Sequence, residues 1–169
     1  MIASLIQDLR QPEYVHVLIN PLPVYGLAMG VFGLVIGLIQ RSRRAQIAGL
    51  MIIILAAAMA WPVAYYGEEG YDRVLAMSDD PGQAWLKVHA HRVDQFIWFF
   101  YGLAAIAAAA IFAPLKWPKA KIALTSITLL FAFVVLGMGG YIAYAGGKVR
   151  HREFRNGPPP PVPVEQDEH

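Results

Sequence analysis

Four apolar stretches, each about as long as the hydrocarbon core of a bilayer asks of a helix, dominate this 169-residue chain. They run from about Pro21 to Gln40, Ala45 to Tyr66, Asp94 to Leu115 and Ile122 to Tyr144, and none has Lys or Arg in its middle. Hydrocarbon offers no water to backbone N–H and C=O groups, so a spanning segment must satisfy its own, as a helix does. With 57% hydrophobic residues, the chain would leave a soluble fold too little polar surface. The expected fold is all-α, an integral-membrane four-helix bundle over residues 1–156 with an outer loop at 67–93 and a proline-rich acidic tail at 157–169.

Charge sets the expected sidedness. The connection after span one carries Arg41, Arg43 and Arg44, and the one after span three carries Lys116, Lys119 and Lys121, with no acid in either. Short basic loops face the cytoplasm. Both termini and the middle segment are then expected outside, on the periplasmic side of a bacterial inner membrane, where the acidic residues also fall. Lys148, Arg150, Arg152 and Arg155 run against this pattern just after span four. A formal charge of +2 gives no basic field for nucleic acid, and the absence of cysteine excludes c-type haem, thiolate clusters and disulfides. Met1-Ile2-Ala3-Ser4 lacks the basic start of a cleaved signal. Gly157 is followed by Pro158 to Pro161, Pro163 and an acidic end, an extended tail that reads first as a disordered end and second as a strap lying on a partner subunit.

Two local signals shape the outer end. Asp80-Pro81 marks a helix start, so span three begins early and carries Trp85, Lys87, His89, His91 and Arg92 at the membrane surface. Trp61-Pro62 bends span two below the aromatic and acidic turn Tyr65–Asp72. Gly26, Gly30, Gly33 and Gly37 share one face of span one and admit a close neighbour, while Gly137, Gly139 and Gly140 do the same in span four or let a flat ring approach.

All five histidines, His16, His89, His91, His151 and His169, fall on this outer side. His16 precedes span one, His89 and His91 head span three, and His151 follows span four, so the helix ends of a bundle can bring them together. A b-type haem takes its axial imidazoles from such separate elements. Residues two apart on a helix point about 200° from one another, so only one of His89 and His91 faces a central iron. His89 shares a face with Val93, Phe96 and Phe100. His91 shares one with Asp94 and Gln95, which can orient an imidazole, and that favours His16 with His91 as ligands, His89 or His151 substituting. Phe96, Phe99, Phe100 and Tyr25 are expected to wall the pocket, with Arg92 and the acidic turn tuning it. Each His can instead be a simple interfacial anchor. A bare metal held with Glu68, Glu69 or Asp72 is disfavoured, because no His-x-x-x-His or Glu-x-x-His spacing occurs.

Three pieces, Val15-His16-Val17-Leu18-Ile19-Asn20-Pro21-Leu22, His89-Ala90-His91 with Gln95, and Gly139-Gly140-Tyr141-Ile142-Ala143-Tyr144, carry a resemblance. In this order they resemble an uncharacterised family of small four-helix bacterial membrane proteins with a His opening spans one and three. That resemblance implies a cytochrome-like or redox-accessory role for His16 and for His89 or His91. The chain departs from it in the interrupted Asn20-Pro21-Leu22-Pro23 and in its long middle segment. The expected function is electron transfer through haem b near the outer face, with a quinone as a second candidate cofactor. The alternative is a non-catalytic accessory subunit of a respiratory or photosynthetic complex, using the glycine face, the aromatic third span and the tail to contact other membrane subunits.

Overall fold

The computed structural model describes residues 6–161, and the described chain is helical with no strand. Helices α1 (Pro12–Ile19) and α2 (Pro21–Ile39) form the first span, α3 (Arg43–Ala58) and α4 (Ala60–Glu69) the second. A short α5 (Tyr71–Met77) leads to α6 (Asp80–Lys116) and α7 (Ala120–Arg150), the third and fourth spans, and a 3-10 turn at Arg152–Phe154 follows. These four helical runs are each long and apolar enough to cross a bilayer. Around the bundle α2 packs on α3, α3 on α6, α6 on α7 and α7 on α2, which closes the ring.

Span one starts at Pro12, so His16 lies inside the helical run rather than ahead of it. The Asn20-Pro21 junction is less of a break than it reads, because Asn20 keeps helical dihedrals and its N–H still reaches the His16 carbonyl at 2.8 Å. The outer loop expected at 67–93 is instead almost wholly helical, with Ser78 and Asp79 the extended link between α5 and α6. Asp79 rather than Asp80 caps α6, accepting the Gly82 N–H at 3.2 Å. Near Trp61-Pro62 the second span is interrupted at Met59, which keeps helical dihedrals, and Pro62 has no N–H for the Ala58 carbonyl.

Glycine sets the distance between the first two spans. A Cβ on Gly26 would meet Ala56 at 2.9 Å, on Gly30 Ile53 at 2.7 Å and on Gly37 the Gln46 backbone at 2.6 Å. Gly49 answers from the other helix, where a Cβ would stand 2.5 Å from the Leu34 nitrogen. The two backbones therefore touch, and dispersion contacts that neither lipid nor a larger residue could supply hold them. Leu27, Leu34, Leu50, Ile53, Leu103 and Val135 fill the interior, and large apolar side chains such as Phe32, Trp98 and Phe133 face outward, as a bilayer requires.

One polar contact ties the opposite end. Pro114, inside the last turns of α6, offers no N–H to the Ala110 carbonyl. Arg43 at the start of α3 fills that vacancy, donating from Nη2 to the Ala110 oxygen at 2.8 Å. Arg43→Ala is expected to cost about 1.5–3 kcal/mol in denaturant titrations of the detergent-solubilised protein, because a charged donor to a buried acceptor is lost. The cost should shrink in a Pro114→Ala background, where the restored N–H can serve Ala110. Equal costs in both backgrounds would contradict this role.

Candidate functional site

At the end of the bundle where the described chain begins and ends, His16 and His89 face each other. Their ring centroids lie 6.3 Å apart and their planes cross at 81°. Each is anchored in the same way. His16 Nδ1 lies 2.8 Å from the Val63 carbonyl in α4, and His89 Nδ1 lies 3.1 Å from the Ile142 carbonyl in α7. A carbonyl can only accept, so in both neutral rings Nδ1 carries the proton and Nε2 keeps the lone pair.

A carbonyl within a helix points at the residue four positions on, whose Cβ normally crowds a lateral donor. Both anchoring carbonyls have glycine there. A Cβ on Gly67, four after Val63, would lie 2.9 Å from His16 Nδ1, and one on Gly146, four after Ile142, would lie 3.0 Å from His89 Cε1. Each odd-numbered span thus supplies an imidazole, and the span after it a carbonyl bared by glycine. The two halves of the bundle repeat this device, which the sequence alone did not expose.

The pair stands in a cavity of about 1020 Å³, at the upper end of the roughly 300–1,000 Å³ of small-molecule sites. Val24, Ala60, Val93, Ile97, Phe100 and Ile142 wall its inner part. Gln11, Tyr14, Glu68, Tyr71, Asp72 and Arg150 are among the residues lining it nearer the outer end. Burial and the neighbouring Asp72 hold the Tyr71 phenol above its ordinary range. Gly139 has a different task, since a Cβ there would press on Val24 at 3.0 Å and Phe100 at 3.3 Å.

The other expected residues are placed as follows. His91 is half-buried on α6 and does not line the cavity, so the structure brings His89 rather than His91 against His16. His151 is exposed, stacks on Phe154 at 4.9 Å and bonds Glu153 at 2.9 Å. His169 and the end of the tail lie outside the described residues. Of the four expected wall aromatics Phe100 lines the cavity; Phe96 and Phe99 pack on one another and Tyr25 is exposed. Arg92 is turned away onto α7, where it donates to the Tyr141 carbonyl at 2.7 Å and covers the Tyr141 ring at 3.5 Å. Among the described residues no group of three or more His, Asp or Glu side chains is close enough to hold a metal ion.

A latch ties the chain together at this end of the bundle. Arg155 donates to both carboxylate oxygens of Asp79 at 2.9 and 2.8 Å and to the Lys148 and Val149 carbonyls at 2.7 Å. It joins the start of α6, which leads to His89, to the end of α7, which carries the anchoring carbonyl. Arg155's hydrogen bonds and charge, with Arg152, hold the Asp79 carboxyl below its ordinary value.

Comparison of the chain with protein-family models, curated sequences and solved structures finds no match.

Gly67→Ala and Gly146→Ala should each shift the histidine facing it and break its Nδ1–H bond, read as loss of the Nδ1-protonated signature in nitrogen-15 NMR of labelled histidine. Gly140→Ala, with nothing within 4 Å of its Cβ, should leave both intact, and unchanged spectra in all three variants would contradict the role of the glycines. The latch predicts a pH dependence. Its lowered Asp79 pKa contributes stability that is fully present above the unfolded value of about 3.9 and lost as pH falls through the lower folded value. The melting temperature should therefore drop more steeply below pH of about 4 in the parent than in Asp79→Asn. Parallel curves would contradict the latch.

Proposed function

We propose that this membrane protein holds one b-type haem between His16 and His89 and exchanges single electrons at this end of the bundle. The facing, proton-sorted imidazole pair carries the reading. Two metal–nitrogen bonds of about 2 Å, plus about 1 Å from each nitrogen to its ring centre, require centroids roughly 6 Å apart; the pair stands at 6.3 Å. Two imidazoles without a third protein ligand suit an iron whose remaining four ligands arrive with it, as in a porphyrin. The cavity also matches the amphipathic shape of haem. Its apolar inner wall fits the macrocycle, and Arg150, Tyr71 and Gln11 give the propionates polar partners.

When bound, the haem supplies a one-electron iron couple. The chain does the rest. His16 and His89 present neutral nitrogen lone pairs, while Val63 and Ile142 fix the tautomer and the ring planes and raise ligand basicity. Phe100, Ile97 and Val93 keep water from the inner face. All four described histidines lie at this end, which favours electron exchange at one membrane face over passage across the bilayer. The purely basic connections at the opposite end support, within this proposal, a site on the periplasmic side of a bacterial inner membrane. A membrane quinol is the fitting donor class and an outer protein the fitting acceptor.

The test is a dithionite-reduced minus air-oxidised visible spectrum of detergent-purified protein, with a pyridine haemochrome assay for stoichiometry. Sharp b-type bands at one haem per chain are expected. They should be lost or converted to a five-coordinate form in His16→Ala and His89→Ala, and retained in His91→Ala and His151→Ala. A featureless spectrum from haem-replete cells would contradict the proposal and favour an accessory-subunit role.

A further inference from the structure

The two imidazoles stand on unequal supports. His89 is 9% exposed within α6, a helix of 37 residues packed along α7. His16 belongs to α1, which has eight residues, none of them buried. Beyond α1 come Pro21 and Pro23, whose missing N–H groups leave the Val17 and Ile19 carbonyls without a helical donor. Asn20 carries the helical run on into α2, so α1 is joined there through a junction short of these two helical bonds. It is held from the side, by the His16–Val63 bond and by the Glu13–Arg73 ion pair at 2.9 Å, with Arg73 half exposed. Gly70 clears the seat for it, since a Cβ there would meet the Glu13 nitrogen at 2.9 Å.

We infer that α1 is a hinged arm, pivoting at Asn20–Pro23, whose undocking withdraws His16 and opens a binding position for a small neutral ligand, such as carbon monoxide, opposite His89. This rests on the haem reading above. The exchange is a ligand substitution: the bond from His16 Nε2 to iron breaks, and the incoming lone pair forms its replacement. His16 leaves neutral with its Nδ1 proton in place, and the iron keeps its oxidation state. Segments held by few buried contacts open at a fraction of the global unfolding free energy, and α1 is such a segment whereas α6 is not. Access to one face of the haem separates a ligand-binding haem protein from a pure electron carrier. The structure gives this chain a route to that access on the His16 side alone.

The experiment uses the haem-loaded full chain, reduced and exposed to carbon monoxide. Visible spectra and amide hydrogen exchange are followed together. The spectrum should convert to that of a carbon monoxide complex, with exchange rising over residues 12–19 while residues 86–97 stay protected. A Pro21→Ala/Pro23→Ala variant, which restores two helix donors, should take up the gas about tenfold more slowly or less readily still. Haem bands that carbon monoxide leaves unchanged would overturn this inference and spare the haem reading; absence of haem bands would overturn that reading and this inference with it. Should the proline variant fail to fold, exchange in the parent decides, and a rise over α6 instead of α1 would overturn the hinge.

Discussion

A polar side chain inside a membrane helix must find its partner within the protein, and the nearest acceptors are backbone carbonyls already bonded along their own helices. This bundle meets the constraint by baring chosen carbonyls. Glycine four residues on bares Val63 for His16 and Ile142 for His89, alanine at 145 does so less fully for Arg92 at Tyr141, and Pro114 frees Ala110 for Arg43. The orientation of the site follows from these choices. An imidazole that donates from Nδ1 to a carbonyl has one nitrogen left, and two such rings on opposite hairpins present those nitrogens to a shared cavity.

Packing and chemistry are therefore linked at the level of glycine. At one end of the bundle, Gly26 to Gly49 bring spans one and two into backbone contact and set the frame. At the other, Gly67 and Gly146 create the room in which the rings sit. The latch of Asp79 with Arg155 then holds the head of α6 against the end of α7, so His89 keeps its level relative to Ile142. His16 is tied instead through the single Glu13–Arg73 ion pair, with Arg73 half exposed, and the asymmetry of the site grows from that difference.

The spans and the glycine face were legible because hydropathy and small-residue spacing are one-dimensional signals. The convergence of histidines at one end followed from counting spans. The choice between His89 and His91 was not legible. Asp94 and Gln95 offered His91 a local partner, whereas the partner of His89 is a carbonyl fifty-three positions away, and carbonyls carry no residue identity. Helical phase against a neighbour decides such a choice, and only the packed bundle supplies it. The start of span one was hidden because Asn20-Pro21-Leu22-Pro23 reads as a breaker, although proline is well tolerated in the first turn of a helix. Gly67 read as part of a turn, and Gly146 carried no local signal of its own. Their meaning appears once each is seen level with a histidine.

In the proposed haem-loaded state His16 and His89 together clasp one iron with their planes nearly perpendicular. Electron paramagnetic resonance of the ferric, haem-loaded protein tests it most directly, because the signal reports both the number of strong axial ligands and their mutual orientation. A low-spin signal of the strongly anisotropic kind that crossed imidazole planes produce is expected, in keeping with the 81° between the rings. A high-spin signal, or the rhombic low-spin signal of parallel imidazoles, would contradict it.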